Sequence, residues 1–210
     1  MTRFHDLVHG FRYFREEYFL KEKEFFEQLA HGQSPKTMVV ACCDSRTDPA
    51  ILLGCKPGEL FVVRSIAALI APQSKAGEYD AVVAAIEYAV KHLAIHDIVV
   101  MGHSNCGGIQ GIFNPEKLAS DQYVARWVSL ACPVVEDVVR ENPEASEKEK
   151  LRLSEEAGVL YSMENLLSYP WVAEPVKAGK LSVHALYWDM HAGHLLIWNS
   201  QKEDFEVLAH

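Results

Sequence analysis

Apolar residues recur along this chain with two different periods, and the change of period marks out its elements. From residue 1 to residue 32 the spacing is three and four: Phe4, Leu7, Phe11, Phe14 and Tyr18 fall on one side of a helix, and the segment holds six of the nine phenylalanines. So heavy an aromatic stripe needs a cover, either the chain's own sheet or a second subunit. The pattern then changes to short unbroken apolar runs. Thr37–Cys42, Leu60–Val63 and Ile98–Met101 read as strands buried on both faces, the habit of parallel sheets. Between the last two, Tyr79, Val82, Val83, Ile86, Val90 and Leu93 mark one face of a helix over 76–93, with Glu78, Asp80, Glu87 and Lys91 elsewhere around it. Residues 121 to 167 keep the helical period except near Asn142-Pro143, where a charged connection interrupts it. Leu181–Trp188 and His194–Trp198 are β-rich and flank the turn Asp189–Gly193, which predicts a hairpin. The order predicts an α/β fold: a mostly parallel central sheet flanked by helices, an N-terminal helical arm and a C-terminal antiparallel strand or hairpin. No repeat interrupts it, so 1–210 is expected to be a single domain, with the arm over 1–32 and the α/β core over 33–210.

Composition narrows the partners. With 49% apolar and 23% charged residues the chain has a globular balance, and its net charge of −9 argues against nucleic acid or an anionic membrane, because phosphate binding needs clustered Lys and Arg. A small neutral or anionic substrate stays open. No run approaches the roughly 18 consecutive apolar residues of a membrane span. The opening MTRFHDLVHGFRYFREEYF has neither the apolar core of a signal peptide nor the acid-poor character of a transit peptide. These features predict a soluble, cytoplasmic chain. The five cysteines, at 42, 43, 55, 106 and 132, are odd in number and make a poor disulfide framework; in a reducing compartment such thiols are buried or bind metal.

In an open α/β sheet ligands bind beyond the carboxyl ends of the strands. Two polar clusters fall at that edge: Cys42, Asp44 and Arg46 after the first strand, and His103-Ser104-Asn105-Cys106-Gly107-Gly108 after the third. Two thiols and one imidazole converging there make a three-ligand zinc site whose fourth position stays free for water, as in catalytic rather than structural zinc sites. Singly the pieces carry little, since a buried cysteine is most often a small packing residue and an Asp-Arg pair a surface ion pair. Cys43 is expected on the opposite face of its strand, in the core. Cys55 and Cys132 are expected to pack, His191 and His194 to face solvent beside the hairpin turn, and the Ser45 hydroxyl to cap its own turn.

Cys-x-Asp-Ser-Arg closing one buried strand and His-x-x-Cys-Gly-Gly closing another, with a helix between, resembles the β-class carbonic anhydrases, in particular their plant-like branch. Gln33-Ser34-Pro35, the run Pro57–Arg64 and Ile86–Val90 are similar to further blocks of that family. The resemblance implies one zinc per chain held by Cys42, His103 and Cys106, with Asp44 and Arg46 as the catalytic pair beside it. It also implies that Gln33, Phe61 and Tyr88 line the substrate pocket, some of them across a dimer interface, so that a homodimer or higher homo-oligomer is the working unit. Gly107 is counted with the substrate-binding positions, although packing of a helix start beside the metal is its simpler role. The implied reaction is the reversible hydration of carbon dioxide to bicarbonate and a proton, by attack of zinc-bound hydroxide. Hydrolysis of carbon disulfide or carbonyl sulfide on the same scaffold, and a non-catalytic zinc-binding role, are the alternatives. Two thiolates cancel the charge of zinc and weaken it as a Lewis acid, so activity is expected to rise with pH through the neutral range. Two departures stand out. Arg64-Ser65-Ile66-Ala67-Ala68 replaces a family pattern Arg-Asn-x-Ala-Asn. The Trp and Tyr of a bicarbonate-driven switch found in one branch are Val39 and Trp188 here, with only Arg64 retained, so that switch is expected to be absent and water, not Asp44, to complete the zinc shell.

Overall fold

The computed structural model describes residues 3 to 209, which fall into two compact units, one ending at Ser34 and the other starting at Pro35. In the first unit the expected stripe is helical but broken. Helix α1 (Phe4–Phe14) runs into a five-residue π-helical stretch, Arg15–Phe19, and α2 (Lys23–Ala30) follows after a turn. The stripe divides at that stretch. Phe14, Tyr18 and Phe19 gather around Phe26 of α2, with ring centroids 5.7, 5.7 and 5.1 Å away. Phe4, Leu7 and Phe11, by contrast, are 74, 60 and 63% exposed.

The second unit is built on six strands: β1 (Thr37–Cys42), β2 (Leu60–Ser65), β3 (Asp97–His103), β4 (Ser182–Asp189), β5 (His194–Asn199) and β6 (Asp204–Ala209). They form one sheet in the order β2-β1-β3-β4-β5-β6, the first four parallel and the last two antiparallel. The parallel core follows the apolar runs. The expected terminal hairpin is a three-stranded meander, because Asp204-Phe205-Glu206-Val207 also alternates and pairs with β5. Around the sheet lie α3 (Pro49–Leu52), α4 (Ala81–His92), α5 (Gly107–Phe113), α6 (Gln122–Val128), α7 (Cys132–Glu141), α8 (Glu147–Leu167) and α9 (Pro170–Lys177). Alternation along β1 sends Met38 and Val40 into a core with Ile86 of α4, Val159 and Leu166 of α8, and Val172 of α9. Val39 and Ala41 point the other way and meet Val99, Met101 and Leu186.

Local chemistry sets the helix limits. Asp80 accepts hydrogen bonds from the Val82 and Val83 amides, both at 3.0 Å, so α4 starts at Ala81 and Tyr79 is left outside it, 91% exposed. Ser146 and Glu149 cap the start of α8 reciprocally, Ser146 N donating to Glu149 Oε2 at 2.9 Å and Glu149 N to Ser146 Oγ at 3.3 Å. Helix α9 occupies a segment to which no element was assigned; Pro170, at its first position, costs it no hydrogen bond, and Pro175 lies inside it.

Register brings the two polar clusters together. Ala41 pairs with Met101, so the next residues on each strand, Cys42 and Gly102, are level, while Cys42 pairs with Ser65 on its other side. The carboxyl ends of β1 and β3 therefore lie side by side. Helix α8 crosses β3 at Gly102, where a Cβ would sit 2.2 Å from Val159 Cγ2, so only glycine admits the helix this close.

Candidate metal centre

Cys42 ends β1, His103 ends β3, and Cys106 follows three residues later, just before α5. Their ligand atoms all lie within 4.8 Å of one another and all three residues are buried. The two sulfurs are 3.9 Å apart. His103 Nδ1 is 2.9 Å from the Ser104 carbonyl, which can only accept, so the ring proton sits on Nδ1 and the lone pair on Nε2. That Nε2 is buried without a hydrogen-bond partner. An orphaned imidazole lone pair facing two thiols is costly unless a cation joins them, and two sulfurs with one nitrogen are a donor set that suits zinc. Among the described residues no fourth His, Cys, Asp or Glu completes the group.

The thiols reinforce this reading. Contact with the Cys106 thiol draws the Cys42 thiol well below the free-cysteine range, against the opposing effect of burial. The same contact, together with burial, pushes Cys106 up. One thiolate thus holds off the other, a conflict that a divalent cation removes.

Asp44 stands beside the cluster, its Oδ2 3.9 Å from His103 Nε2. Arg46 grips it bidentately, Nε to Oδ1 at 2.9 Å and Nη2 to Oδ2 at 2.7 Å, while the Arg46 amide also donates to Oδ1 at 2.9 Å. This grip holds the Asp44 carboxyl well below the usual carboxylate range. The turn is thus closed by the Asp44 carboxylate and not, as expected, by the Ser45 hydroxyl. Arg46 Nη2 reaches further, to the Asn105 carbonyl at 3.1 Å, and so links the two clusters. Arg64, at the end of β2, donates to the Cys42 and Asp44 carbonyls at 2.8 and 2.6 Å. It is the backbone clamp of this loop, a role its place in the sequence did not reveal.

Beneath the cluster lies a buried acid. Glu155 of α8 accepts from the Cys106 amide through Oε1 and from the Tyr187 hydroxyl through Oε2, both at 2.7 Å. Burial raises its carboxyl to about 7. Neither partner was anticipated, because Glu155-Glu156 on a helix reads as a solvated face. The signal available was the series of small residues Ser154, Gly158 and Ser162 along the same side of α8.

Other expectations divide. Cys43 was expected in the core and is exposed: β1 ends at Cys42 and the chain turns away, leaving no sheet over the Cys43 side chain. Cys55 and Cys132 are partly buried. His191 is exposed as expected, and its Nε2 accepts from Asn105 Nδ2 at 2.8 Å. Close packing explains Gly108, where a Cβ would meet Ile66 Cγ2 at 2.8 Å, but not Gly107, where a Cβ would meet nothing within 4 Å. In the departing segment the Ser65 hydroxyl donates to the Leu69 carbonyl at 2.8 Å, and Ala67 and Ala68 adopt left-handed backbone, φ 59° and 54°. Phe61 and Tyr88 stack on each other, centroids 6.0 Å apart. Phe61 pairs with Met38, four residues before the Cys42–Ser65 level, so within one chain this stack lies roughly 13 Å of strand away from the metal cluster. Gln33 belongs to the first unit and is exposed.

Comparison with known proteins agrees with this geometry. The carbonic anhydrase family model matches residues 37–195. A curated relative, beta carbonic anhydrase 6, mitochondrial, of Arabidopsis thaliana, is 35% identical over 196 residues, which is 92% of this chain and about two thirds, 67%, of the relative's own length. The structure of the β-carbonic anhydrase CcaA superposes with a TM-score of 0.93 at 29% identity, covering 98% of this chain and 100% of that one. Crystal structures of tetrameric β-carbonic anhydrases from Sordaria macrospora give 0.77 at 28% identity, covering 92% and 95%. Buried thiols and imidazole at adjoining strand ends, the family match over most of the chain and the shared fold lead to one conclusion: the chain belongs to the β-carbonic anhydrases.

Proposed function

We infer that this chain catalyses the reversible hydration of carbon dioxide to bicarbonate and a proton, the reaction of its family, with zinc held by Cys42, His103 and Cys106. The observation that carries the inference is the buried, partnerless His103 Nε2 aimed at two thiols beside an acid held in place by arginine. Zinc held there supplies a Lewis acid that makes water nucleophilic near neutral pH. The chain's own residues do the rest. Asp44, ionised through the neutral range, accepts a hydrogen bond from the reacting water and so leaves its lone pair facing substrate. Because both Asp44 oxygens are engaged by Arg46, Asp44 is held back from becoming a ligand itself. Arg64 fixes the carbonyls on either side of Cys43, which sets where Cys42 and Asp44 point. The open space beside Gly107 leaves room for a small substrate at the start of α5.

A homodimer or higher assembly goes with this reading. It is supported by the exposed Phe4, Leu7 and Phe11, and by the Phe61–Tyr88 stack, which lies too far along β2 to serve the metal of its own chain and suits a pocket completed by a partner. The Sordaria relatives are tetrameric. Gln33 is assigned to the same shared pocket on the family pattern. For location, no described helix is long and apolar enough to cross a membrane. A cytoplasmic setting is supported by five free cysteines, although the plant relative is named as mitochondrial.

Zinc content and stopped-flow hydration of carbon dioxide, on wild type and Cys42→Ser, test the inference together. Wild type is expected to carry one zinc per chain and to hydrate carbon dioxide faster as pH rises; Cys42→Ser should lose both metal and turnover. A zinc-loaded wild type that left carbon dioxide untouched while hydrolysing carbon disulfide or carbonyl sulfide would replace this function with its alternative.

A further inference from the structure

The metal loop is held from below by a buried acid that the reaction itself does not use. Glu155 and Tyr187 are 4% and 0% exposed, and the acid's two oxygens meet two donors, one of them the backbone amide of Cys106. Arg152, one turn away, bonds Glu156 at 3.0 Å. The approach of α8 at Gly102 brings Glu155 within reach of the loop. The Cys106 amide is the first donor after the left-handed residue Asn105, φ 55°, so the bond to Glu155 fixes the backbone at the point where the chain reverses to aim the Cys106 sulfur at Cys42 and His103.

We propose that Glu155 is a positioning residue of the metal centre: it accepts the Cys106 amide hydrogen bond and thereby holds the Cys106 thiol in the geometry that takes up a divalent cation. The proposal rests on Cys106 being a metal ligand. Tyr187 is the second donor on the acid, and its hydroxyl needs an acceptor only while it is present. Removing that hydroxyl therefore isolates the Cys106 bond.

The test compares Tyr187→Phe alone with Tyr187→Phe combined with Glu155→Gln or Glu155→Met, measuring zinc affinity by competition with a chromophoric chelator and the visible spectrum of the cobalt(II)-loaded protein. The glutamine carbonyl can still accept from Cys106, and methionine cannot. Tyr187→Phe and Tyr187→Phe/Glu155→Gln are expected to keep zinc affinity within about threefold of wild type and an unchanged cobalt spectrum. Tyr187→Phe/Glu155→Met should lose affinity by about 10- to 100-fold, with shifted thiolate and ligand-field bands, as for other groups that orient metal ligands. Equal affinity in the Gln and Met variants, or a Gln variant as weak as the Met one, overturns the proposal. If the Met variant does not fold, the Gln variant decides alone: a tenfold loss against Tyr187→Phe overturns it and retention supports it. A wild-type chain that binds no zinc would refute the ligand assignment instead, so the two failures are separate.

Discussion

At the residue scale the metal loop depends on atoms that are missing as much as on those present. Gly102 precedes His103, and a methyl at its Cβ would lie 2.2 Å from Val159 Cγ2, a branched side chain with little freedom to move. Gly102→Ala is therefore expected to destabilise the fold by about 1–3 kcal/mol, read as a lower urea midpoint, and to weaken zinc retention because β3 must shift to relieve the overlap. The residues gathered at the thiol–imidazole cluster were legible in the sequence: Cys42, Asp44, Arg46, His103 and Cys106 each stand within five residues of the end of an unbroken apolar run. Glu155 and Arg64 were not. One looks like a surface acid on a helix and the other like a strand residue, and their roles exist only once α8 and β2 are placed against the loop.

At the scale of elements, strands buried on both faces were easy to read because their central residues form unbroken apolar runs, and Thr37–Cys42 was placed to the residue. Elements whose limits depend on side-chain chemistry were harder. The apolar period carries on through Tyr79, yet the Asp80 carboxylate takes the Val82 and Val83 amides and starts α4 at Ala81. Asp80→Ala should cost about 1 kcal/mol and fray the first turn of α4, detectable by thermal unfolding and faster amide exchange at Val82 and Val83. Strand β6 was missed because its alternation is short, and it becomes a strand only through pairing with β5.

At the scale of the whole molecule, stability follows pH through buried acids. In the zinc-free chain burial raises Glu155 from the ordinary glutamate value of 4.5 to about 7. The unfolded chain ionises first as pH rises, so this contribution is complete below about pH 4.5 and lost as pH rises through 7, up to about 3 kcal/mol. Asp44, whose carboxyl is lowered, acts in the opposite sense at acid pH, its contribution lost as pH falls below the ordinary carboxylate range. Urea unfolding of the zinc-free protein between pH 4.5 and 7.5 should show the decline, and Glu155→Gln should flatten it. The grounds for the proposed assembly were half legible: the exposed end of the aromatic stripe could be anticipated, but only the strand register shows that Phe61, and Tyr88 stacked on it, sit far from their own chain's thiols.

The clamp made by Arg64 has a mechanical consequence. Strand β2 is one of the two edge strands of the sheet, and edge strands are open to local fluctuation. Since that strand carries the guanidinium gripping the Cys42 and Asp44 carbonyls, peeling at that rim is expected to loosen the seat of a bound ion, so that its lifetime would depend on hydrogen bonds at the sheet's edge.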